Sequence, residues 1–255
     1  MYFLPLKVLL RKSECLQTLC RSSSRLEYSR KFADSTFASP QKSISIKYRY
    51  RVVIQLFSVD IGGPYWKVPT GRRDGVISNL VESSQNIPAP FNNFTTLQTL
   101  FANQGLNLKD LVLLSGAHTI GISLCTSFLN RLYNFTGKGD EDPSLDSEYA
   151  TNLKTFKCKN INDNTTIVEM DPGSRNTFDL SYYSQVVKRR GLFESDSALL
   201  TNSVTKSLVT QFLQGSLENF YAEFAKSIEK MGQIKVKTGS QGEIRKHCAL
   251  VNSLE

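Results

Sequence analysis

A run of apolar residues between positions 207 and 231 recurs at three- and four-residue intervals, and this spacing constrains the fold more than any other feature of the sequence. Such spacing places its members on one face of an α-helix. The members are Leu208, Phe212, Leu213, Leu217, Phe220, Phe224, Ile228 and Met231. The pattern predicts one helix over Ser207–Met231, ended by Gly232, in a chain whose fold class is mainly α.

Two shorter helices are predicted upstream of this run. The first covers Thr96–Gln104, and Gly105 is placed to stop it. Asn107 can cap a second helix that continues through Ala117. The residues of the first helix that should face inward are Leu97, Leu100 and Phe101.

The first 58 residues differ in composition from the rest of the 255-residue chain. Residues 1–57 hold 11 basic and 3 acidic side chains, whereas residues 58–255 hold 20 of each, so the net charge of +8 lies wholly in this head. An Arg- and Ser-rich, acid-poor start is typical of an organelle transit peptide; a secretory signal fits less well, and a segment foreign to the domain is the third alternative. Because the body has no basic excess, no nucleic-acid partner is expected.

Cysteine and histidine usage argues against a structural zinc site. The sequence has two histidines, at positions 118 and 247, and no Cys-x-x-Cys pair. Three glycosylation triplets, at Asn93, Asn134 and Asn164, are compatible with secretion and with disulfides. No stretch of about 18 apolar residues occurs, so no membrane association is expected. The five cysteines, of which at least one must stay unpaired, are Cys15, Cys20, Cys125, Cys158 and Cys248.

His118 lies in a run of apolar and small residues, Leu111–Thr119. Small neighbours allow a flat or bulky group to approach the imidazole. Local sequence alone nevertheless favours a buried histidine with a hydrogen-bond partner over a ligand or a catalyst.

A second cluster of polar residues follows in the loop 171–179. Four oxygen-bearing side chains within nine residues suit a hard cation such as calcium, which takes six to eight oxygen ligands. Local sequence favours a simpler interpretation, an Asp-rich turn followed by a helix cap at Asp179. The four residues are Asp171, Ser174, Thr177 and Asp179.

Five motifs, taken in order, resemble the secreted plant haem peroxidases of the horseradish type, and the resemblance runs from about Val59 to Ser253. The most specific is Asp-Leu-x-x-Leu-Ser-Gly-Ala-His-Thr-Ile, a proximal-haem signature. The motifs are Gly62–Trp66, Gly71–Asp74, Asp110–Ile120, Arg131–Phe135 and Gly191–Asp196. The resemblance implies a mainly α fold with a few short strands, of which residues 59–255 would form the proximal part.

The resemblance also implies a cofactor and a metal. His118 would be the axial ligand of haem b, and Asp196 would accept the other ring N–H, which favours high-valent iron. Thr119 would join the loop residues named above, Asp171, Ser174, Thr177 and Asp179, in one proximal calcium site. Both of the simpler interpretations are thereby replaced.

Three further residues acquire roles from the resemblance. Cys125 and Cys158 match a family disulfide. Pro88 matches a residue that lines the aromatic-donor site at the haem edge. The family partner of Cys248 falls in a segment where this chain has unrelated sequence, so Cys248 is expected to be free or bonded to Cys15 or Cys20.

The sequence departs from the family upstream of Gly62. It has no Arg-x-x-Phe-His-Asp-Cys segment there and no histidine before His118, and Lys47–Arg51 offers cations without a defined position. The distal acid–base group and a second calcium site are therefore expected to be missing, and the uncovered fold is expected to be unstable.

The predicted function is that of a haem peroxidase, which reduces hydrogen peroxide and oxidises small phenolic donors in hydrogen peroxide catabolism and the response to oxidative stress. The alternative is a catalytically inactive remnant that binds haem at most. By resemblance the protein would be secreted, and a monomer is expected.

Overall fold

The computed structural model describes residues 61–67, residue 69 and residues 71–247 and 250–252. The predicted head, residues 1–58, lies outside these ranges, as do Cys15, Cys20, Lys47–Arg51 and Cys248. Within the described ranges, no helix combines the length and the apolar character needed to cross a membrane.

The described chain is mainly α, as predicted. Its two short strands, β1 (Ile122–Leu124) and β2 (Ile167–Glu169), pair antiparallel with Ser123 opposite Val168. Two 3₁₀ turns cover Gly116–Thr119 and Cys125–Ser127. The helices are α1 (Leu80–Asn86), α2 (Phe94–Asn103), α3 (Leu108–Ser115), α4 (Leu129–Tyr133), α5 (Ser147–Phe156), α6 (Ser181–Val187), α7 (Glu194–Ala198), α8 (Ser203–Gln214) and α9 (Leu217–Gly232).

Side-chain caps explain where α2 and α3 begin. Asn93 accepts a hydrogen bond from the Thr96 N–H, so α2 begins at Phe94, two residues before the predicted start. Asn107 accepts from the Asp110 N–H, and the Asp110 carboxylate accepts in return from the Asn107 N–H. This reciprocal capping box satisfies two donors that the first turn of α3 would otherwise leave unpaired.

The single helix predicted over Ser207–Met231 is wrong, because the structure contains two helices there. α8 ends at Gln214, Gly215 adopts an extended conformation, and the Ser216 hydroxyl accepts from the Asn219 N–H to begin α9. Both helices bury their apolar side chains in the same core, so the apolar spacing continues across the break. α9 does end at Gly232, as predicted.

Two hydrophobic cores organise the part of the chain that the structure describes. The first lies between α3, α6, α8 and α9, and it includes the stacked rings of Phe178 and Phe220, whose centroids are 5.6 Å apart. The second surrounds a disulfide between Cys125 and Cys158 and includes residues of α4, α5 and β2. The residues after His118 connect the two cores, since the 3₁₀ turn follows α3 and leads into β1.

A surface face is left uncovered by the described residues. α1 contains no buried residue, and Leu80 is 85% exposed. The other large apolar side chains that are more than half exposed near α1 in sequence are Val76, Ile77, Val81 and Phe91.

Candidate functional site

His118 lies in the 3₁₀ turn Gly116–Thr119, which continues directly from α3. α3 is fixed by four consecutive buried residues, 111–114, in the first core. Gly116 allows a close approach at the junction, because a Cβ there would lie 2.6 Å from the Tyr183 hydroxyl oxygen. The packing of this 3₁₀ turn against α6 therefore sets the position of the imidazole.

The imidazole of His118 is bonded to a buried carboxylate from α7. Nδ1 of His118 lies 2.8 Å from Oδ1 of Asp196, and the side chains are 13% and 1% exposed, respectively. The rings of Tyr182 and Phe193 pack edge-on against the imidazole, with centroids at 5.7 and 5.3 Å. The ring orientation is thus fixed, and coordination of a metal would use Nε2.

Asp196 accepts hydrogen bonds on both carboxylate oxygens. Oδ1 also accepts from the Tyr182 hydroxyl at 2.9 Å, and Oδ2 accepts from the Phe193 N–H at 2.9 Å. Burial opposes ionisation, but the charge and hydrogen bond of His118 outweigh it and lower the pKa of Asp196. Burial raises the pKa of Tyr182 well above its usual range, and the Asp196 charge adds to this. The pair is therefore an ionised carboxylate and a protonated phenol.

Arg131 holds the loop that precedes Asp196. Its fully buried guanidinium pairs with Asp142 at 2.6 Å. It also donates to the carbonyls of Gly191 and Leu192, at 2.7 and 2.9 Å, and to the Ser197 hydroxyl at 2.7 Å. Gly191 is needed because a Cβ there would lie 2.6 Å from Cβ of Asp196. The buried arginine thereby fixes the chain on both sides of the carboxylate.

An oxygen-rich cluster lies immediately after His118 in the chain. The buried Thr119 hydroxyl lies 3.0 Å from Oδ1 of Asp179 and 3.4 Å from Oδ2 of Asp171. Ser174 donates to Oδ2 of Asp179 at 2.9 Å, and the Ser181 hydroxyl contacts both carboxylates. Two carboxylates and three hydroxyls from separate chain segments therefore converge.

This cluster has more acceptors than donors. Oδ1 of Asp171 is buried, and among the described residues it has no donor in hydrogen-bonding geometry. Burial raises the pKa of Asp171, and the charge of Asp179 raises it further. Hydrogen bonds from nearby hydroxyl and amide groups act to lower this pKa but do not outweigh the two effects. Burial also acts to raise the pKa of Asp179, but hydrogen bonds from Ser181, Ser174 and Thr119 outweigh it and lower that pKa. A buried, unpaired carboxylate oxygen beside a second carboxylate is an arrangement that a cation would stabilise.

The structure places Thr177 differently from the other loop residues. Its side chain is exposed, and its N–H donates to the Ser174 carbonyl at 2.9 Å. Ser181 contacts both carboxylates but was not identified from the sequence, because it lies in α6, outside the loop. The sequence signal that could have identified Ser181 is its hydroxyl two residues after Asp179. Within the described ranges, no group of three or more His, Cys, Asp or Glu residues is arranged for a metal, so a site here would depend on hydroxyls and carbonyls.

Pro88 and the disulfide lie in separate parts of the structure. Pro88 is half-buried in the segment after α1, and the carbonyl of the nearby Pro90 accepts from the Ser195 N–H at 3.0 Å. This bond ties the Pro88 segment to the residue next to Asp196. The disulfide joins the turn after β1 to the end of α5, and the Tyr133 hydroxyl donates to the Cys158 carbonyl at 2.7 Å.

Two surface grooves of the described residues lie away from His118. The larger, about 820 Å³, runs along α8 and is lined by polar side chains such as Lys206 and Gln211. The smaller, about 280 Å³, lies beside α5 between Phe156 and Arg190. Neither is lined by the imidazole or by the oxygen-rich cluster.

Comparison with known proteins gives consistent matches. A family model described as "Peroxidase" matches residues 48–215. Peroxidase 39 of Arabidopsis thaliana is 70% identical over 194 residues, which are 76% of this chain and 60% of that protein. Peroxidase 3 of the same plant is 69% identical over 192 residues, 75% of this chain and 59% of the relative. Peroxidase 1 of Oryza sativa subsp. japonica is 54% identical over 194 residues, which are 74% of this chain and 59% of that protein. The chain thus spans about three fifths of the length of these curated relatives.

Proposed function

This chain belongs to the plant haem peroxidase family, and on that premise we propose that it holds haem b through His118 for the reduction of hydrogen peroxide and the oxidation of small phenols. The observation that carries the proposal is the 2.8 Å contact between Nδ1 of His118 and Oδ1 of the buried Asp196. A carboxylate on one ring nitrogen fixes the tautomer and makes the other nitrogen a stronger ligand.

The residues around His118 fit a haem. The imidazole keeps a partly exposed edge while its Nδ1 is engaged from the interior. The edge-on contacts of Tyr182 and Phe193 restrict rotation of the ring, so the ligand is held before any iron binds. When bound, haem iron supplies the electron transfers by which one hydrogen peroxide and two phenols become two waters and two phenoxyl radicals.

Asp196 has the role of a charge partner to His118. Its position depends on the Phe193 N–H and, through Gly191 and Ser197, on Arg131. A carboxylate held this rigidly gives the imidazole anionic character, which raises its electron donation to a bound iron. Arg131, the segment 191–197 and the turn that carries His118 thus act together to position the imidazole.

We propose calcium at the cluster of Thr119, Asp171, Ser174 and Asp179, with Ser181 beside it. Oδ1 of Asp171, which has no hydrogen-bond donor among the described residues, and the neighbouring carboxylate of Asp179 support this, since calcium prefers oxygen ligands. Thr177 has an exposed side chain, so it would contribute through its backbone carbonyl. Because Thr119 follows His118 directly, the cation would also stabilise the turn that holds the haem ligand.

The substrates of this proposal are hydrogen peroxide and small phenolic donors, with Pro88 at the donor site. The hydrogen bond from the Ser195 N–H to the Pro90 carbonyl keeps that segment close in space to the residues that position Asp196. Secretion accords with the proposed disulfide between Cys125 and Cys158, because disulfides persist in oxidising compartments.

A second candidate function is haem binding with little turnover. It is favoured by the sequence, in which the two histidines are His118 and His247. The proposal assigns His118 to iron, which leaves His247 as the other histidine of the sequence. Positioned acid–base groups typically contribute about 10² to 10⁴ in rate, so this 255-residue chain could bind haem and still turn over slowly.

Haem titration of the purified chain tests the proposal. We expect one haem per chain, with the absorption spectrum of a histidine-ligated iron, and loss of this spectrum in His118→Ala. The matched control is His247→Ala, which removes the other histidine and should bind haem like the parent chain. Equal haem spectra for parent chain and His118→Ala would exclude His118 as the ligand.

A further inference from the structure

The phenol of Tyr182 bonds to the same carboxylate oxygen as the imidazole of His118. The Tyr182 hydroxyl oxygen lies 2.9 Å from Oδ1 of Asp196, and Nδ1 of His118 lies 2.8 Å from that atom. Tyr182 and Asp196 are each 1% exposed, so bulk water does not compete at this oxygen. An ionised carboxylate only accepts hydrogen bonds, so the phenol is the donor.

Two donors that share one oxygen weaken each other. Each draws electron density from Oδ1, and in a buried site such coupling is stronger than in water. The third donor, the Phe193 N–H, bonds to Oδ2 and leaves Oδ1 to the other two. The distance between Nδ1 of His118 and Oδ1 of Asp196 therefore depends on how strongly the Tyr182 hydroxyl bonds to the same oxygen.

We propose that Tyr182 is a positioning residue that limits the strength of the hydrogen bond between His118 and Asp196 and so sets how strongly His118 donates to a haem iron. This inference rests on the proposed haem ligation by His118. A weaker bond to the carboxylate leaves the imidazole less anionic, and a less anionic ligand stabilises ferric iron less. Removing the phenol hydroxyl should strengthen the bond and lower the iron reduction potential.

Tyr183 provides a matched control in the neighbouring position. Its ring is also fully buried and lies 5.3 Å from that of Tyr182, centroid to centroid. Its hydroxyl donates to the Val112 carbonyl at 3.0 Å and not to Asp196. Tyr183→Phe therefore deletes one buried hydroxyl, as Tyr182→Phe does, without changing the donors at Oδ1.

The first measurement needs no haem. The chain has two histidines, so the Nδ1–H proton resonance of His118 can be assigned by proton NMR with His247→Gln as a reference. In Tyr182→Phe we expect this resonance to move downfield, the direction of a stronger hydrogen bond. In Tyr183→Phe it should stay at the parent position. Because the haem-free protein is used, this result stands even where haem binding fails.

The second measurement uses the haem-loaded chain. In Tyr182→Phe we expect the ferric form to be favoured over the ferrous form by a factor on the order of ten, which is about 59 mV for a one-electron couple. The iron–histidine stretching frequency should rise in the same variant. Tyr183→Phe should show the parent values for both quantities.

A third variant keeps the test decisive if Tyr182→Phe does not fold. Incorporation of 3-fluorotyrosine at position 182 retains the ring and hydroxyl and makes the hydroxyl a stronger donor. The His118 resonance should then move upfield, opposite to its shift in Tyr182→Phe. Unchanged resonances in both Tyr182 variants, or equal shifts in Tyr182→Phe and Tyr183→Phe, would overturn the proposal.

Discussion

The Thr119 hydroxyl lies 3.0 Å from Oδ1 of Asp179, sixty residues further along the chain. Thr119 also directly follows His118, whose imidazole bonds to Asp196. Two consecutive residues of one short turn therefore contact two different groups. His118 contacts the buried carboxylate of Asp196, and Thr119 contacts the oxygen-rich cluster. Whatever binds the cluster should influence the position of the imidazole.

Calcium should stabilise the folded chain through this cluster. A ligand present at about a hundredfold over its Kd stabilises the native state by roughly 2.7 kcal/mol. We expect a higher Tm in excess calcium than in excess chelator, measured by circular dichroism, and a much smaller difference in Asp179→Asn. Asp163→Asn is the control, since Asp163 lies outside the cluster and accepts hydrogen bonds from Thr165 and Thr166 of its own loop. Identical melting curves with calcium and with chelator would show that the cluster does not bind it.

The haem-loaded 255-residue chain should oxidise phenols slowly. Loss of a positioned acid–base group lowers rates by about two to four decades relative to an enzyme that has one. Steady-state oxidation of a guaiacol-like phenol by hydrogen peroxide measures this against a relative such as Peroxidase 39. Adding the corresponding N-terminal segment of that relative upstream of Val59 should restore turnover. A parent chain as fast as the relative would mean that residues 1–58 supply the acid–base group.

Replacement of Arg131 should be strongly destabilising. Arg131→Met leaves the buried Asp142 carboxylate unpaired and removes the donors to the Gly191 and Leu192 carbonyls. Breaking a buried ion pair by removing one partner typically costs about 3 to 5 kcal/mol. Urea unfolding measures the loss, and Arg131→Met combined with Asp142→Asn should be less destabilising than the single change. A single variant within about 1 kcal/mol of the parent would contradict this account.

The carboxylate of Asp110 should make stability depend on pH. It accepts from Ser227 at 2.8 Å, from the Asn107 N–H at 2.9 Å and from Lys230. Burial acts to raise the pKa of Asp110, but the Lys230 hydrogen bond and the other donors outweigh it and lower that pKa. A carboxyl whose pKa is lower in the folded state stabilises the protein above its unfolded pKa, and this contribution is lost as pH falls through the folded pKa.

Asp110→Asn should therefore lower the free energy of unfolding by about 1 to 2 kcal/mol at pH 7. The difference from the parent chain should shrink below about pH 4, near the ordinary pKa of aspartate. Glu223→Gln is the control, because Glu223 of α9 pairs with two exposed lysines, Lys109 of α3 and Lys226 of α9. This change should alter stability by less than about 1 kcal/mol. Urea unfolding at several pH values measures both. If the free energies of unfolding of the parent chain and Asp110→Asn differed by the same amount at pH 7 and at pH 3, the lowered pKa of Asp110 would be contradicted.

Local periodicity in the sequence predicted the class and much of the helical framework. Asn107 was identified as a cap, and α3 begins where predicted because its capping box is encoded within four residues. The break between α8 and α9 was missed because Leu213 and Leu217 keep helical spacing across Gly215 and Ser216. Spacing reports which side chains face the core, and it does not report whether the backbone is continuous.

The sequence by itself determined the mainly α class, the Asn107 cap of α3 and, through its ordered motifs, the resemblance to plant haem peroxidases. The resemblance also paired Asp196 with His118. Only the tertiary structure gave that pair its distance of 2.8 Å and added Ser181 to the carboxylates of Asp171 and Asp179. Local sequence had favoured a simple buried histidine, because nearby residues carry no information about a partner 78 positions away. The packing of the 3₁₀ turn Gly116–Thr119 against α6, and the anchoring of the loop before α7 by Arg131, decide those contacts.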